Sequence, residues 1–111
     1  MESLTEVVTR TADAADLHAP VPTLLLELQS LLGALTAAVT DATDRGRRPF
    51  RPTPDWTDRF GELAYGIYLL ADQSGVDVDA AVRTAAASVQ HRLRRSAQQA
   101  PAQAEWPFGS E

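Results

Sequence analysis

A stripe of large apolar side chains in residues 24–39 constrains the fold of this chain more than any other feature. The stripe follows the spacing of an α-helix and consists of Leu24, Leu28, Leu31, Leu35 and Val39. Leu25, Leu32 and several small residues widen it beyond what one neighbouring helix would cover. We therefore predict a long helix over about residues 22–45, buried against several helices or across an oligomer interface.

Two more helices are predicted, one on either side of this one. The first covers about residues 3–17 and stops before Pro20, because a residue that precedes proline is pushed out of the α region. The other begins at Thr53, a predicted hydroxyl cap, has Pro54 at its first helical position and ends at Gly75. Its predicted apolar face consists of Trp56, Phe60, Leu63, Ile67 and Leu70.

A fourth helix is predicted to begin at Asp77, which would cap it. It would close with Arg92, Arg94 and Arg95, since cations are favourable at a helix C-terminus. The alternation typical of β-strands appears nowhere in the sequence. The predicted fold class is therefore all-α, with four helices.

The composition changes after the fourth helix, where Gln, Ala and Pro become frequent. We predict one helical domain in residues 1–95 and a flexible tail in residues 96–111. Trp106 and Phe108 in that tail would act as an aromatic anchor on the bundle or on a neighbouring subunit, with recruitment of a partner as the alternative.

The composition of the chain excludes several classes of function. With 44% apolar residues the 111-residue chain is typical of one globular domain, and the absence of cysteine excludes disulfides and thiolate metal sites. A net charge of −5 argues against binding to nucleic acid, which needs a basic face. The N-terminus has no signal-peptide pattern, and Glu, Gln or Asp interrupt the apolar stretches before the roughly 20 residues that a bilayer span needs. We therefore predict a cytoplasmic protein that does not bind membranes.

Two segments of the chain resemble a known family. Residues 62–72 read E-L-A-Y-G-I-Y-L-L-A-D and residues 75–82 read G-V-D-V-D-A-A-V. These are similar to the E-L-A-D-V-L-x-Y-L-L and G-I-D-L-x-x-A-V patterns of the MazG-like, all-α nucleoside triphosphate pyrophosphohydrolases, and the resemblance covers about residues 24–92. It implies a four-helix MazG-like bundle that forms a dimer or tetramer.

The resemblance also implies where a metal site would lie. Family members carry two carboxylate pairs on facing helices, which hold Mg²⁺ for attack on a triphosphate. The first pair maps onto Leu31 and Ala34, and the second onto Glu62 and Tyr65. Glu62 is the only carboxylate among these four positions. The chain is therefore expected to be catalytically degenerate and to need no cofactor, with Mg²⁺ as the cofactor if it is active.

Other charged residues offer weaker candidates for a site. Glu27 and Asp58 each lie one helical turn before a mapped position and, together with Glu62, would form a displaced acidic cluster, unless they are simply solvated. A basic loop and the end of the last helix would bind phosphate through bidentate contacts, with a solvated, charge-balancing loop as the alternative. These substrate-binding candidates are Arg47, Arg48, Arg51 and Arg92. The two histidines, His18 and His91, are predicted to be surface residues.

Three functions remain open on the sequence alone. The first is a degenerate family member that acts by nucleotide binding, regulation or assembly. The second is an active Mg²⁺-dependent pyrophosphohydrolase that uses the displaced acidic cluster. The third is a purely structural interaction module with the tail as its docking element.

Overall fold

Four α-helices and no strand make up residues 1–99, the part of the chain that the computed structural model describes. The helices are α1 (Leu4–Ala15), α2 (Val21–Ala42), α3 (Trp56–Ser74) and α4 (Val78–Gln99). This confirms the predicted all-α class. The chain divides into two compact units, Met1–Val76 with α1 to α3, and Asp77–Glu111, of which α4 is described. Residues 100–111, with the predicted anchor of Trp106 and Phe108, lie outside the described residues.

Helix α1 is closed at both ends by its own residues. The Ser3 side chain accepts a hydrogen bond from the Glu6 N–H at 3.2 Å, and the Glu6 carboxylate accepts one from the Ser3 N–H at 2.9 Å. This reciprocal capping box satisfies two N–H groups that the helix itself leaves free. At the other end Asp16 takes a left-handed conformation with φ of 56°, so the helix ends two residues before the predicted limit of Leu17.

Helix α2 ends at Ala42, three residues before the predicted limit at Arg45. The Thr43 side chain is buried, donates to the Val39 carbonyl at 2.7 Å and accepts from the Gly46 N–H at 3.0 Å. Left-handed φ angles follow at Asp44, Arg45 and Gly46. The chain therefore leaves the helix because Thr43 offers its backbone a competing set of hydrogen bonds.

Helix α3 begins later than predicted, at Trp56, with Asp55 in the N-cap position. The predicted cap at Thr53 is wrong. The Thr53 hydroxyl donates to the Asp55 carboxylate at 2.5 Å, and that carboxylate also accepts from Arg59 at 2.9 Å. Gly75 ends the helix with φ of 73°, as predicted, because glycine adopts this conformation without steric strain.

The core of the first unit lies where α3 packs against both α1 and α2. Val8, Ala12, Leu24 and Leu69 form one buried cluster, and Leu35 and Ala71 are buried as well. The predicted stripe of α2 is confirmed, since Leu24 and Leu35 are buried and its other members are half-buried. The predicted face of α3 is partly wrong, because Phe60 and Ile67 are 55% and 44% exposed. Two neighbouring helices cover different sides of α3, so no single stripe describes its buried residues.

Helix α4 is the described part of the second unit. Asp77 accepts a hydrogen bond from the Ala80 N–H at 3.1 Å, which confirms the predicted cap. The helix continues to Gln99, four residues beyond the predicted end at Arg95. None of its described side chains is buried, and Val82 is 60% exposed.

The apolar character of α2 is also high enough to meet a simple criterion for a membrane span. The helix has 22 residues and a mean hydropathy of 1.4 over its most apolar window, of which 11% is buried. Core helices of soluble proteins, which are mostly buried, and signal sequences near an N-terminus meet the same criterion. The cytoplasmic location therefore stays a prediction.

Candidate functional site

Helices α2 and α3 approach closely at Gly66. A Cβ atom at Gly66 would lie 2.8 Å from Leu28 Cδ2 and 3.5 Å from Leu31 Cδ1. Leu31 therefore points at α3, and both Leu31 and Ala34 are half-buried. Apolar side chains thus fill the positions to which the resemblance assigns the first carboxylate pair.

Tyr65 stands at the last of the four mapped positions and contributes to tertiary packing. Its ring is half-buried against the core cluster, and its hydroxyl lies 2.7 Å from the hydroxyl of Thr11 on α1. The Thr11 hydroxyl also lies 2.9 Å from the Val7 carbonyl, to which it donates within α1. The aromatic side chain therefore links α1 to α3.

Glu62, the one mapped carboxylate, lines an open groove along α3. The groove has a volume of about 540 Å³ and is lined by Thr57, Asp58, Gly61, Glu62 and Tyr65. Asp58 and Glu62 are both exposed and lie one turn apart on the same face of the helix. The structure thus brings together two members of the predicted acidic cluster.

The third member of that cluster, Glu27, is exposed on α2 and does not line the groove. Within residues 1–99, no group of three or more His, Cys, Asp or Glu side chains is placed to hold a metal ion. Two carboxylates from one helix face can attract a cation, but they leave most of the coordination positions of Mg²⁺ to water.

Backbone hydrogen bonds hold the first part of the basic loop between α2 and α3, residues 43–48. The Arg45 N–H donates to the Thr40 carbonyl at 2.8 Å, and the Arg48 N–H donates to the Thr43 carbonyl at 2.9 Å. Arg47 lies 3.7 Å from Asp44, a weak ion pair because the two side chains are 73% and 49% exposed. Three of the predicted phosphate-binding residues thus lie in one loop, whereas Arg92 belongs to α4 in the second unit.

An aromatic cluster at the start of α3 was not predicted from the sequence. The rings of Phe50 and Trp56 meet edge to face with centroids 5.0 Å apart, and those of Trp56 and Phe60 are 6.2 Å apart. The four-residue spacing of Trp56 and Phe60 on a helix could have indicated their contact. The position of Phe50 carries no such signal, because it depends on the path of the loop.

Asp55, which directly precedes Trp56, accepts hydrogen bonds from the Thr53 hydroxyl and the Arg59 guanidinium. The hydrogen bond from the Thr53 hydroxyl, and after it the bond from Arg59, lower the pKa of the Asp55 carboxyl. Both donors favour the charged carboxylate, so they keep Asp55 ionised at the N-terminus of α3, where a negative charge is favourable.

His18, which was predicted to be a surface residue, is half-buried and forms hydrogen bonds to two other side chains. Its Nε2 lies 2.5 Å from an Asp13 carboxylate oxygen and its Nδ1 lies 2.5 Å from Gln73 Oε1 on α3. The hydrogen bond with Asp13, and after it the bond with Gln73, raise the pKa of His18. Its partner on α3 is 55 residues away in sequence, so the spacing of residues along the chain contained no signal for this contact.

Comparison of the chain with protein family models, curated proteins and solved structures found no match. Its function is therefore inferred from the residues and the geometry described above.

Proposed function

We propose that this chain is a MazG-like helical protein that has lost the metal cage of the nucleoside triphosphate pyrophosphohydrolases and acts by binding. The role would be nucleotide sensing, regulation or assembly. The observation that carries the proposal is the packing at Gly66, where Leu28 and Leu31 contact α3. Side chains at the mapped ligand positions serve the interface between two helices.

The chemistry of Mg²⁺ supports the loss of catalysis. This ion takes six oxygen ligands in near-octahedral geometry and usually needs carboxylates together with substrate phosphates. Leu31 and Ala34 offer no oxygen, and the Tyr65 hydroxyl is hydrogen-bonded to the Thr11 hydroxyl. Three of the four mapped positions thus lack a carboxylate. Glu62, the fourth, lines the groove together with one other carboxylate, Asp58.

The basic loop supports a binding role. Arg47, Arg48 and Arg51 are exposed, and the Arg48 N–H donates to the Thr43 carbonyl at the end of α2. Guanidinium groups bind phosphate oxygens through two parallel hydrogen bonds. A nucleotide phosphate is the ligand that this loop would fit.

A second candidate function is favoured by the groove along α3. Asp58 and Glu62 lie together there, so an active Mg²⁺-dependent pyrophosphohydrolase would use this pair with Glu27 or with a carboxylate from another subunit. In that case Glu62 would be the first residue whose loss abolishes turnover.

An assay of pyrophosphate release separates the two candidates. The purified protein is incubated with canonical and modified nucleoside triphosphates in Mg²⁺ or Mn²⁺, beside the variants Glu62→Gln and, as a control, Glu6→Gln. We expect no metal-dependent turnover. Turnover that Glu62→Gln abolishes and Glu6→Gln preserves would overturn the proposal, because it would show a working site in the groove.

The melting temperature then tests binding. A ligand that binds only the native state stabilises it, by about 2.7 kcal/mol at a hundredfold excess over its Kd. We expect a nucleoside triphosphate to raise the melting temperature, and Arg47→Ala with Arg48→Ala to remove the rise, whereas Arg94→Ala on α4 retains it. No rise with any nucleotide would favour a purely structural module.

A further inference from the structure

Arginines and aromatic rings are concentrated in residues 45–60, which form what we call the basic–aromatic surface. Its members are Arg45, Arg47, Arg48, Arg51, Arg59, Phe50, Trp56 and Phe60. Five arginines stand against two aspartates in this segment, which gives it a net charge of +3 in a chain of net charge −5. The surface therefore differs in sign from the rest of the molecule, and it attracts acidic groups.

The backbone under this surface is held in an uncommon conformation. Asp44 and Arg45 have φ angles of 50° and 60°, which cost energy in residues other than glycine. The buried Thr43 stabilises this turn through its hydrogen bonds to Val39 and Gly46. Arg47 and Arg48 are thus presented on a folded turn, which reduces the conformational freedom that they lose on binding.

Several arginines and one aromatic ring of this surface are available for contacts with another molecule, judged by the residues that the structure describes. Arg47 and Arg59 each have a carboxylate nearby, whereas Arg45, Arg48 and Arg51 form no ion pair in residues 1–99. Phe60 is 55% exposed beside the half-buried Trp56. Exposed aromatic rings next to arginine are the residue types that dominate the energetics of protein interfaces.

We propose that the basic–aromatic surface binds residues 105–111 of a second copy of this chain. Only the sequence of that segment, E-W-P-F-G-S-E, enters the inference, since it lies outside the described residues. Glu105 and Glu111 are opposite in charge to the unpaired arginines. The rings of Trp106 and Phe108 would pack against the aromatic cluster. Pro107 between the two rings limits the conformations that the segment loses on binding.

A second copy is the occupant because each chain carries both halves of the contact. In a two-fold dimer the contact occurs twice. Once the first contact has formed, the second is intramolecular, so the two together bind more tightly than either alone. The first unit also leaves apolar side chains uncovered on α2, namely Leu25, Leu26 and Leu32, which are 47%, 66% and 55% exposed. A partner that covers them adds hydrophobic stabilisation. This inference rests on the proposed binding role and specifies its assembly form.

Charge reversal in the full chain tests the contact by sedimentation. One variant reverses the surface (Arg48→Glu with Arg51→Glu), a second reverses the segment (Glu105→Arg with Glu111→Arg), and a control reverses Arg94 and Arg95 on α4. We expect the unaltered chain and the control to dimerise, and each reversed variant to dissociate about tenfold or more easily. An equimolar mixture of the two reversed variants should recover dimers, since their reversed charges are complementary.

The outcomes separate this inference from the proposed function. Three results would each overturn this inference. The unaltered chain could be a monomer, or neither reversal could affect the dimer. The mixture of the two reversed variants could also stay monomeric although circular dichroism shows folded helices. If the segment binds to its own chain instead, the unaltered chain will be a monomer. The measurement contains no nucleotide, so its failure leaves the test of nucleotide binding by melting temperature untouched.

Fluorescence gives a second readout that charge repulsion alone would not change. In a Trp56→Phe protein, Trp106 is the only tryptophan. We expect its emission to shift to the blue at concentrations where the dimer forms and to return to the red on dilution, because its indole would be transferred from water to an apolar contact. In a Trp56→Phe protein that sedimentation shows to dimerise, an emission maximum that is independent of concentration would contradict docking of Trp106.

Discussion

His18 connects parts of the first unit that are distant in sequence. Both of its ring nitrogens face oxygen acceptors, one on Asp13 of α1 and one on Gln73 of α3. A neutral imidazole has only one N–H, so both hydrogen bonds form together only in the charged ring. The nearby charge of Asp72 on α3 also favours the cation and contributes to the raised pKa of His18. The side chain therefore holds the α1–α2 turn against α3 most firmly when it is protonated.

Stability should depend on pH through this residue. Because folding raises the pKa of His18 above its ordinary value of 6.5, the contribution of His18 to stability is complete below that pH and is lost as the pH rises through the pKa of the folded state. We expect His18→Gln to lower the melting temperature more at about pH 5.5 than at about pH 8. His91→Gln on α4 is the matched control. Equal losses at both pH values would show that His18 contributes only neutral hydrogen bonds.

At the scale of the helices, the spacing of α2 and α3 depends on the absence of a side chain at Gly66. Leu28 Cδ2 would lie 2.8 Å from a Cβ atom there, so this methyl group would have to move, whereas Leu31 Cδ1 at 3.5 Å would be in ordinary contact. Glycine normally weakens a helix by about 1 kcal/mol relative to alanine, so close packing must offset this loss. Gly61, on the same helix, has no atom within 4 Å of its Cβ position and offers an internal comparison.

We expect Gly66→Leu to lower the free energy of unfolding by about 1–3 kcal/mol, because the larger side chain would force the two helices apart. Gly61→Leu should leave stability unchanged or raise it by about 1 kcal/mol, because leucine favours helix and meets no neighbour. Urea denaturation followed by circular dichroism measures both changes. A loss of the same size at Gly61 would show that the effect is not due to the contact between α2 and α3.

The helices themselves could be predicted from the sequence, although their ends were predicted less well. Periodicity located all four, and Asp77 and Gly75 were identified correctly as a cap and a terminator. The ends shifted where side chains offered the backbone other partners, as Thr43 does after α2. Such competition depends on burial of the threonine, which a local pattern does not reveal.

At the scale of the whole molecule, the location of the protein depends on how α2 is used. Its hydropathy would suit a membrane span, but its Leu24 and Leu35 side chains are buried in the first unit, and Glu27 interrupts the apolar surface. We expect the full chain to enter the aqueous phase when a detergent extract is separated by warming. Recovery in the detergent phase would contradict the predicted cytoplasmic location, because it would show that apolar surface of α2 is available to lipid.

The sequence by itself determined that residues 1–99 are mainly helical, where the four helices described there lie and which stripe of α2 packs inward. These properties follow from local spacing, since a helix repeats every 3.6 residues wherever it occurs. The tertiary structure alone decided that Tyr65 bonds to Thr11, 54 residues away, that His18 bonds to Gln73, and that Phe50 packs on Trp56. The contacts of Tyr65 and His18 form only when the N-terminal residues pack against α3, and the contact of Phe50 depends on the path of the loop, so no spacing along the chain encodes them. The candidate site shows the same division: the sequence identified Glu62 as the one carboxylate among the four positions that the resemblance assigns, and the packing at Gly66 showed that Leu31, at another of these positions, faces α3.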